Sequence, residues 1–202
     1  KKDLDQNFVN KYQAILNEER GGGFYIWKPK IISQTLNEIS IGDIVVYTDA
    51  GSTFNFHAEK RFYEYIEMLN SSEYGNLRFE NKKENLEKYW TNKEIFQEFN
   101  LDPESEHGNS VQLMGGHLIF KKNPHSLDFL NHFFEIIDAD SKLITDFYNE
   151  NQIPGFKENR HDQSIMSLIT KIYGGVILKN ETYFEKNSID QKSFPFLSVR
   201  HY

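Results

Sequence analysis

The feature that most constrains this chain is Ile44-Val45-Val46-Tyr47-Thr48, an unbroken β-branched and apolar run set between Gly42-Asp43 and Asp49-Ala50-Gly51. A strand that is apolar without alternation is the pattern of a strand covered on both faces. Helical patterns flank it. Leu4, Phe8, Val9, Tyr12, Ile15 and Leu16 recur at helical spacing over 4–18, and Ile31, Ile32, Leu36 and Ile39 mark a helix over 29–39 that Pro29 opens. Downstream the spacing predicts helices over 57–70, 92–99, 124–149 (broken near Asp138–Ser141) and 161–173. Strands are predicted at Leu77–Phe79, at Val111–Lys121 with Gly115-Gly116 interrupting it, at Val176–Leu178 and at Tyr183-Phe184. Helices alternating with short apolar strands predict an α/β domain with a mostly parallel central sheet flanked by helices. The charged stretch Asn81–Lys88 predicts a solvated face.

Composition narrows the class. The chain has 202 residues, which predicts one domain over 1–202. A domain of this length buries about 70% of the surface its unfolded chain exposes, so it needs no covalent staples. It has no cysteine. That removes disulfide frameworks, thiolate metal sites and cysteine nucleophiles, and it favours a reducing compartment. With 30 acidic against 23 basic residues the net charge is −7, which argues against a nucleic-acid partner held by broad phosphate neutralisation. No stretch approaches the roughly 18 apolar residues of a membrane span, so no transmembrane segment is expected. No apolar signal core follows Lys1-Lys2-Asp3 either.

Four places can carry chemistry. Asp49 ends a buried strand, where open α/β sheets bind ligands, and Gly51 permits close backbone approach; a strand-end Asp followed by Gly is also ordinary turn chemistry. Gly115-Gly116 inside a strand marks a bulge or a close approach by another group, and His117 beside it reads as a half-buried structural histidine. Asn159-Arg160-His161-Asp162-Gln163-Ser164 opens an apolar helix with more polar groups than capping requires; Asp162 suits a first helical turn and Asn159 a cap. Arg20-Gly21-Gly22-Gly23 with Trp27-Lys28-Pro29 brings a glycine run, two cations and a helix N-terminus together as a diphosphate cradle, or is a linker before a proline-opened helix. The common nucleotide motifs GxxxxGK[ST] and GxGxxG after a strand are absent.

Taken in order, Arg20–Pro29, Gly42–Gly51, Met114–Phe120 and Arg160–Ser164 resemble a family of bacterial GT-A-like glycosyltransferases of the capsular polysaccharide and lipopolysaccharide type. The resemblance runs from about residue 3 to the C-terminus, and its motifs are specific in combination. It implies a GT-A-like domain that moves a sugar from a nucleotide-diphosphate sugar to a hydroxyl of a glycan or lipid-linked acceptor. It also implies a cytoplasmic protein, peripheral to the inner face of the membrane. Asp49 matches the first acid of the strand-end DxD element, which implies a Mn²⁺ or Mg²⁺ ion there. Gly51 stands where the second acid would be, and a single carboxylate is a poor site for a hard dication. Gly115 and Gly116 match the segment passing the donor sugar, with His117 in place of an apolar residue.

Asp162 is the leading acid/base or sugar-hydroxyl ligand and His161 the second, while Asn159 replaces a histidine expected before Arg160. Arg20, Lys28 and Arg160 are the cations for the leaving diphosphate. Trp27, Tyr25 and Tyr47 are stacking candidates, and Gln163 is a nucleotide-sugar ligand. Domains of this family begin with a strand, whereas the first readable element here is a helix, so the first strand is expected to be absent. Two alternatives stay open: a metal-assisted phosphodiesterase using Asp49, His161 and Asp162, and a non-catalytic sugar-binding protein on the same fold.

Overall fold

In the computed structural model, which describes residues 2–184 and 189–198, the chain begins with two short helices, α1 (Gln6–Lys11) and α2 (Gln13–Leu16). A single turn, α3 (Gly21–Phe24), leads to α4 (Trp27–Glu38) and to strand β1 (Ile44–Thr48). Next come β2 (Ser52–Phe54), α5 (Glu59–Asn70) and β3 (Asn76–Phe79). Three short helices follow, α6 (Glu87–Trp90), α7 (Lys93–Glu98) and α8 (Glu106–Asn109), before β4 (His117–Lys121). Helix α9 (Pro124–Ala139), α10 (Asp162–Tyr173), β5 (Val176–Leu178) and β6 (Phe196–Ser198) complete the described chain.

The central sheet has the order β1-β4-β3-β5, and β2 pairs with β6 in a separate ribbon. β4 runs antiparallel to both neighbours, with Val46 opposite Ile119 and Leu77 opposite Ile119, and only β3 and β5 pair in parallel. The expected mostly parallel sheet is therefore corrected to a mixed one. Alternation of helices and strands predicts parallel pairing only when a crossover helix returns the chain to its starting end. Between β3 and β4 the helices are four and six residues long. None spans the sheet, and the chain enters β4 from the opposite end.

β4 separates two cores by its alternation, as a period-2 side-chain pattern dictates. Leu118 and Phe120 join Phe8, Ile32, Leu36, Phe129, Phe133, Ile165 and Ile169 on the face covered by α4, α9 and α10. Ile119 joins Tyr65, Leu69, Leu77, Phe79 and Phe196 on the face covered by α5 and β6. β1 lies at the sheet edge and is half-buried along its length, yet both its faces are covered as expected: Val45 and Tyr47 pack on the first core, Ile44 and Val46 on the second.

Other expectations need correction. Regular strand covers only His117–Lys121, because Gly115-Gly116 bends the chain and Val111 and Leu113 make isolated bridges to Leu86 and Glu80. Tyr183-Phe184 is not a strand, and α9 ends at Ala139, where Asp140 bonds Lys142 N–H to start a 3-10 turn over Ser141–Ile144. The stretch Asn81–Lys88 is solvated only in part. Glu87 is fully buried, where its carboxylate accepts from Thr91 Oγ1 at 2.6 Å, Gln112 Nε2 at 2.9 Å, Lys171 Nζ at 2.7 Å and Ser167 Oγ. A buried carboxylate is tolerated when its lone pairs are matched in this way.

Candidate functional site

Between the first helices and β1 the backbone winds with the unusual hand. φ is positive at Gly21 (59°), Gly22 (61°), Gly23 (100°), Phe24 (51°) and Tyr25 (62°). The turn is closed by Phe24 N–H on the Arg20 carbonyl at 2.7 Å. This hand costs an L residue about 1–2 kcal/mol, so Phe24 and Tyr25 must be held in it by their surroundings. Trp27 Nε1 donates to the Gly21 carbonyl at 2.8 Å, and Phe24 packs on the His161 ring with centroids 4.9 Å apart. The turn delivers the chain into α4 so that Lys28, in the first helical turn, points inward.

Lys28 is the centre of the site. It is 4% exposed. Its Nζ donates to the Gly115 carbonyl at 3.0 Å, pairs with Asp162 Oδ2 at 3.0 Å, and lies 3.8 Å from Asp49 Oδ1. The rings of Tyr25 and Tyr47 flank the ammonium at 5.1 and 5.2 Å. One residue from each of the four stretches singled out in the sequence therefore meets here, although they lie far apart along the chain.

Asp49 is the open member, its side chain 54% exposed. Its N–H extends the β1–β4 ladder to the Gly116 carbonyl at 2.9 Å, and Tyr47 Oη donates to its Oδ1 at 2.8 Å. A Cβ on Gly116 would sit 3.0 Å from Asp49 Oδ2, so the missing side chain leaves that carboxylate its place. Burial, and secondarily the charge of Asp49, pushes the Tyr47 hydroxyl well above the ordinary tyrosine range, which keeps it a hydrogen-bond donor. Gln163 accepts the Gly115 N–H at 3.0 Å and donates to Gln112 Oε1 at 2.7 Å, which fixes the bend under Lys28.

Asp162 is enclosed at the start of α10. Burial raises its pKa, the Asp49 charge adds to that, and Lys28 and Arg78 pull the other way. Arg78 was not singled out by the sequence. It lies wholly buried on β3, donating to the Met114 carbonyl at 2.9 Å and to Met166 O and Thr170 Oγ1 at 3.3 Å, and burial lowers its pKa to about 10. The signal for it was a guanidinium inside the apolar strand Leu77-Arg78-Phe79. Gln112 was missed as well, and nothing in its neighbourhood marks it.

The remaining candidates are placed differently. Arg20 is matched by Asp146 at 3.0 Å and Glu158 at 2.7 Å. His161 is buried with φ 55° and ψ −121°. Its Nδ1–H donates to the Ile144 carbonyl at 2.9 Å and its Nε2 lies 3.8 Å from Asp146 Oδ1, while burial lowers its pKa. Asn159 does not cap α10; it is buried and donates to the carbonyls of Leu143 and Thr145. Arg160 stacks its guanidinium 3.6 Å from the Trp90 ring centroid. Gly51 lies exposed in the turn from β1 to β2.

His117 is 1% exposed rather than half-buried, its ring against Phe196, and burial holds its pKa at about 4. The folded pKa lies below the unfolded 6.5, so the unfolded state binds more protons between those values. Stability from this group is complete above pH 6.5 and is lost as pH falls toward 4. The full shift corresponds to roughly 3 kcal/mol. In denaturant titrations at pH 7 and pH 4.5, His117→Phe is expected to flatten the acid-side fall in stability; an unchanged fall would show that His117 is not its source.

The divalent cation implied by the resemblance does not fit the donors present. Among the described residues no three His, Cys, Asp or Glu side chains are grouped to hold a metal ion. Asp162 is engaged by Lys28, and the ammonium itself stands beside Asp49. Among the described residues no helix is long and apolar enough to cross a membrane. The chain matches no protein-family model, and no curated protein is significantly similar to it in sequence.

Proposed function

We propose that this cluster is the active site of a GT-A-like glycosyltransferase, which moves a sugar from a nucleotide-diphosphate sugar to a hydroxyl of a glycan or lipid-linked acceptor at the cytoplasmic face of a membrane. The observation that carries the reading is the convergence on Lys28 Nζ of Asp49, Gly115 and Asp162, with Tyr47 alongside. It occurs at the C-terminal end of β1, where open α/β sheets take their ligands. A buried ion pair beneath an exposed carboxylate and aromatic rings is suited to holding a sugar ring by its hydroxyls and faces.

In the transfer, the acceptor oxygen forms a bond to the anomeric carbon as the bond from that carbon to the diphosphate oxygen breaks. The diphosphate leaves with the bonding pair, and the acceptor proton passes to a base. Asp49 is the carboxylate of the cluster open to substrate, so it replaces Asp162 as the group that meets a hydroxyl. Asp162, 2% exposed and paired, is a positioning residue for Lys28. His161 positions Phe24 and Tyr25 through its ring. The phosphodiesterase alternative requires Asp49, His161 and Asp162 to share a metal, and the donor set above does not support it.

Calorimetric titration with UDP-, GDP- and CMP-sugars tests the reading: binding of at least one is expected, and a folded chain that binds none of them would sink it. Once a donor is known, Asp49→Asn is expected to lower turnover by about 10²-fold or more while the fold persists. Turnover left intact would remove Asp49 from the chemistry, and a donor bound without any turnover would favour the sugar-binding alternative.

A further inference from the structure

We infer that the Lys28 ammonium takes the place of a divalent cation at this site, so that the phosphorylated ligand is held without a metal. The inference rests on the nucleotide-sugar reading above and goes beyond it in naming what meets the diphosphate.

The surroundings of Nζ are those of a cation site. Its neighbours are the carboxylate oxygens of Asp162 at 3.0 Å and Asp49 at 3.8 Å and the carbonyl oxygen of Gly115 at 3.0 Å. These are the hard oxygen donors a dication takes, but Asp162 and Gly115 stand at about 3.0 Å and Asp49 farther off, instead of at the roughly 2.0–2.1 Å of Mg²⁺. The local charges leave no demand for more positive charge. Lys28 and Arg78 stand against Asp49 and Asp162, and the guanidinium acts on the Asp162 carboxyl from below. Two fixed cations thus answer two carboxylates.

The ammonium is also hard to displace. Its side chain is 5% exposed, the rings of Tyr25 and Tyr47 flank it, and the first turn of α4 fixes its backbone. A dication at Asp49 Oδ1 would lie against it, and its withdrawal would leave Asp162 buried without a partner. Of its three N–H donors, one is used on the Gly115 carbonyl at 3.0 Å; Asp162 is held as an ion pair at 3.0 Å, and Asp49 at 3.8 Å lies beyond hydrogen-bond distance. A phosphate oxygen arriving from the exposed Asp49 side completes the set and meets a donor held in place beforehand.

The test titrates the full chain with inorganic pyrophosphate, UDP and GDP by calorimetry, first in EDTA and then with Mn²⁺, and follows the paramagnetic resonance signal of Mn²⁺ added alone. At least one of the three is expected to bind in EDTA, with a Kd that Mn²⁺ changes by less than about twofold. The protein alone is expected to leave the Mn²⁺ signal free. Lys28→Met is expected to weaken binding by about tenfold or more, and Lys28→Arg, which keeps the charge, to recover part of it. Binding that requires Mn²⁺, or Lys28→Met binding as tightly as the wild type in EDTA, overturns the inference and leaves the nucleotide-sugar reading standing. Absence of binding under both conditions overturns both. Should Lys28→Met fail to fold, the wild-type comparison decides by itself.

Discussion

Lys28→Met is expected to lower the unfolding free energy by about 3–5 kcal/mol, because it removes one member of a buried pair and leaves the other charge uncompensated. Asp162 is 2% exposed, and Lys28 Nζ at 3.0 Å is its direct ion-pair partner. The loss carries a pH signature that a simple packing defect lacks. Without Lys28 the folded carboxyl, already raised from 3.8 by burial, rises further above its unfolded value. A raised folded pKa favours the folded state at low pH and ceases to do so as pH climbs through it. The deficit relative to wild type is therefore smallest below about pH 4 and grows toward neutrality. Adding Asp162→Asn should recover a large part of the stability at pH 7. Urea unfolding of the two variants at pH 4 and pH 7 checks this, and a deficit independent of pH would mean that the pair does not carry the effect.

Gly23→Ala is the second large effect, and its origin is steric. Gly23 holds φ 100°, and a Cβ there would lie 2.7 Å from Leu16 Cα and 2.9 Å from the Ile15 carbonyl oxygen. Both obstacles are helix backbone, which cannot rotate aside as a side-chain tip does. Backbone of the wrong hand and an overpacked contact together amount to about 2–5 kcal/mol. Ligand affinity should fall in parallel, because the same turn carries Tyr25 and Lys28 into the site. Gly42→Ala makes the matched comparison: its φ is 92°, but its Cβ would meet no atom within 4 Å, so it should cost only the backbone part. Thermal unfolding of the two variants compares them directly, and equal losses would show that contact with Leu16 adds nothing.

Where helix and strand carried both a period and a terminator, the sequence was legible. The stripe of Ile165, Met166, Leu168 and Ile169 behind Asp162 became α10, and the run between Gly42 and Asp49 became β1. The direction of β4 was not legible, since it depends on the path of residues 80–116 through space and not on any local pattern. Three glycines announced a permissive backbone at 21–23, but no rule of composition says that Phe24 and Tyr25 would follow them into the same hand. Glu87 read as one more solvated charge because its partners Gln112, Ser167 and Lys171 arrive from other elements.

The candidate site divides in the same way. Asp49, Gly115, Gly116, Lys28 and Asp162 were marked as residues of interest by strand ends, glycine pairs and helix starts. That Lys28 and Asp162 are partners, and that Arg78 lies beneath them, follows only from the packing of α4, α10 and β3 against one another. Arg20 and His161 stood out for their chemistry, yet the first is tied to Asp146 and Glu158 and the second to the Ile144 carbonyl.

The convergence on Lys28 also determines when the site exists. Its parts come from α4, the end of β1, the bend before β4 and the start of α10, so no fragment of the folding chain contains a working version of it. Any ligand of this cluster then recognises the complete native state and not its partly folded precursors. By mass action such a ligand, present at 100 times its Kd, adds about 2.7 kcal/mol to the stability of the whole chain. Ligand supply and persistence of the folded protein are in that sense the same variable: a cell short of the ligand would hold not only an empty site but a more perishable chain.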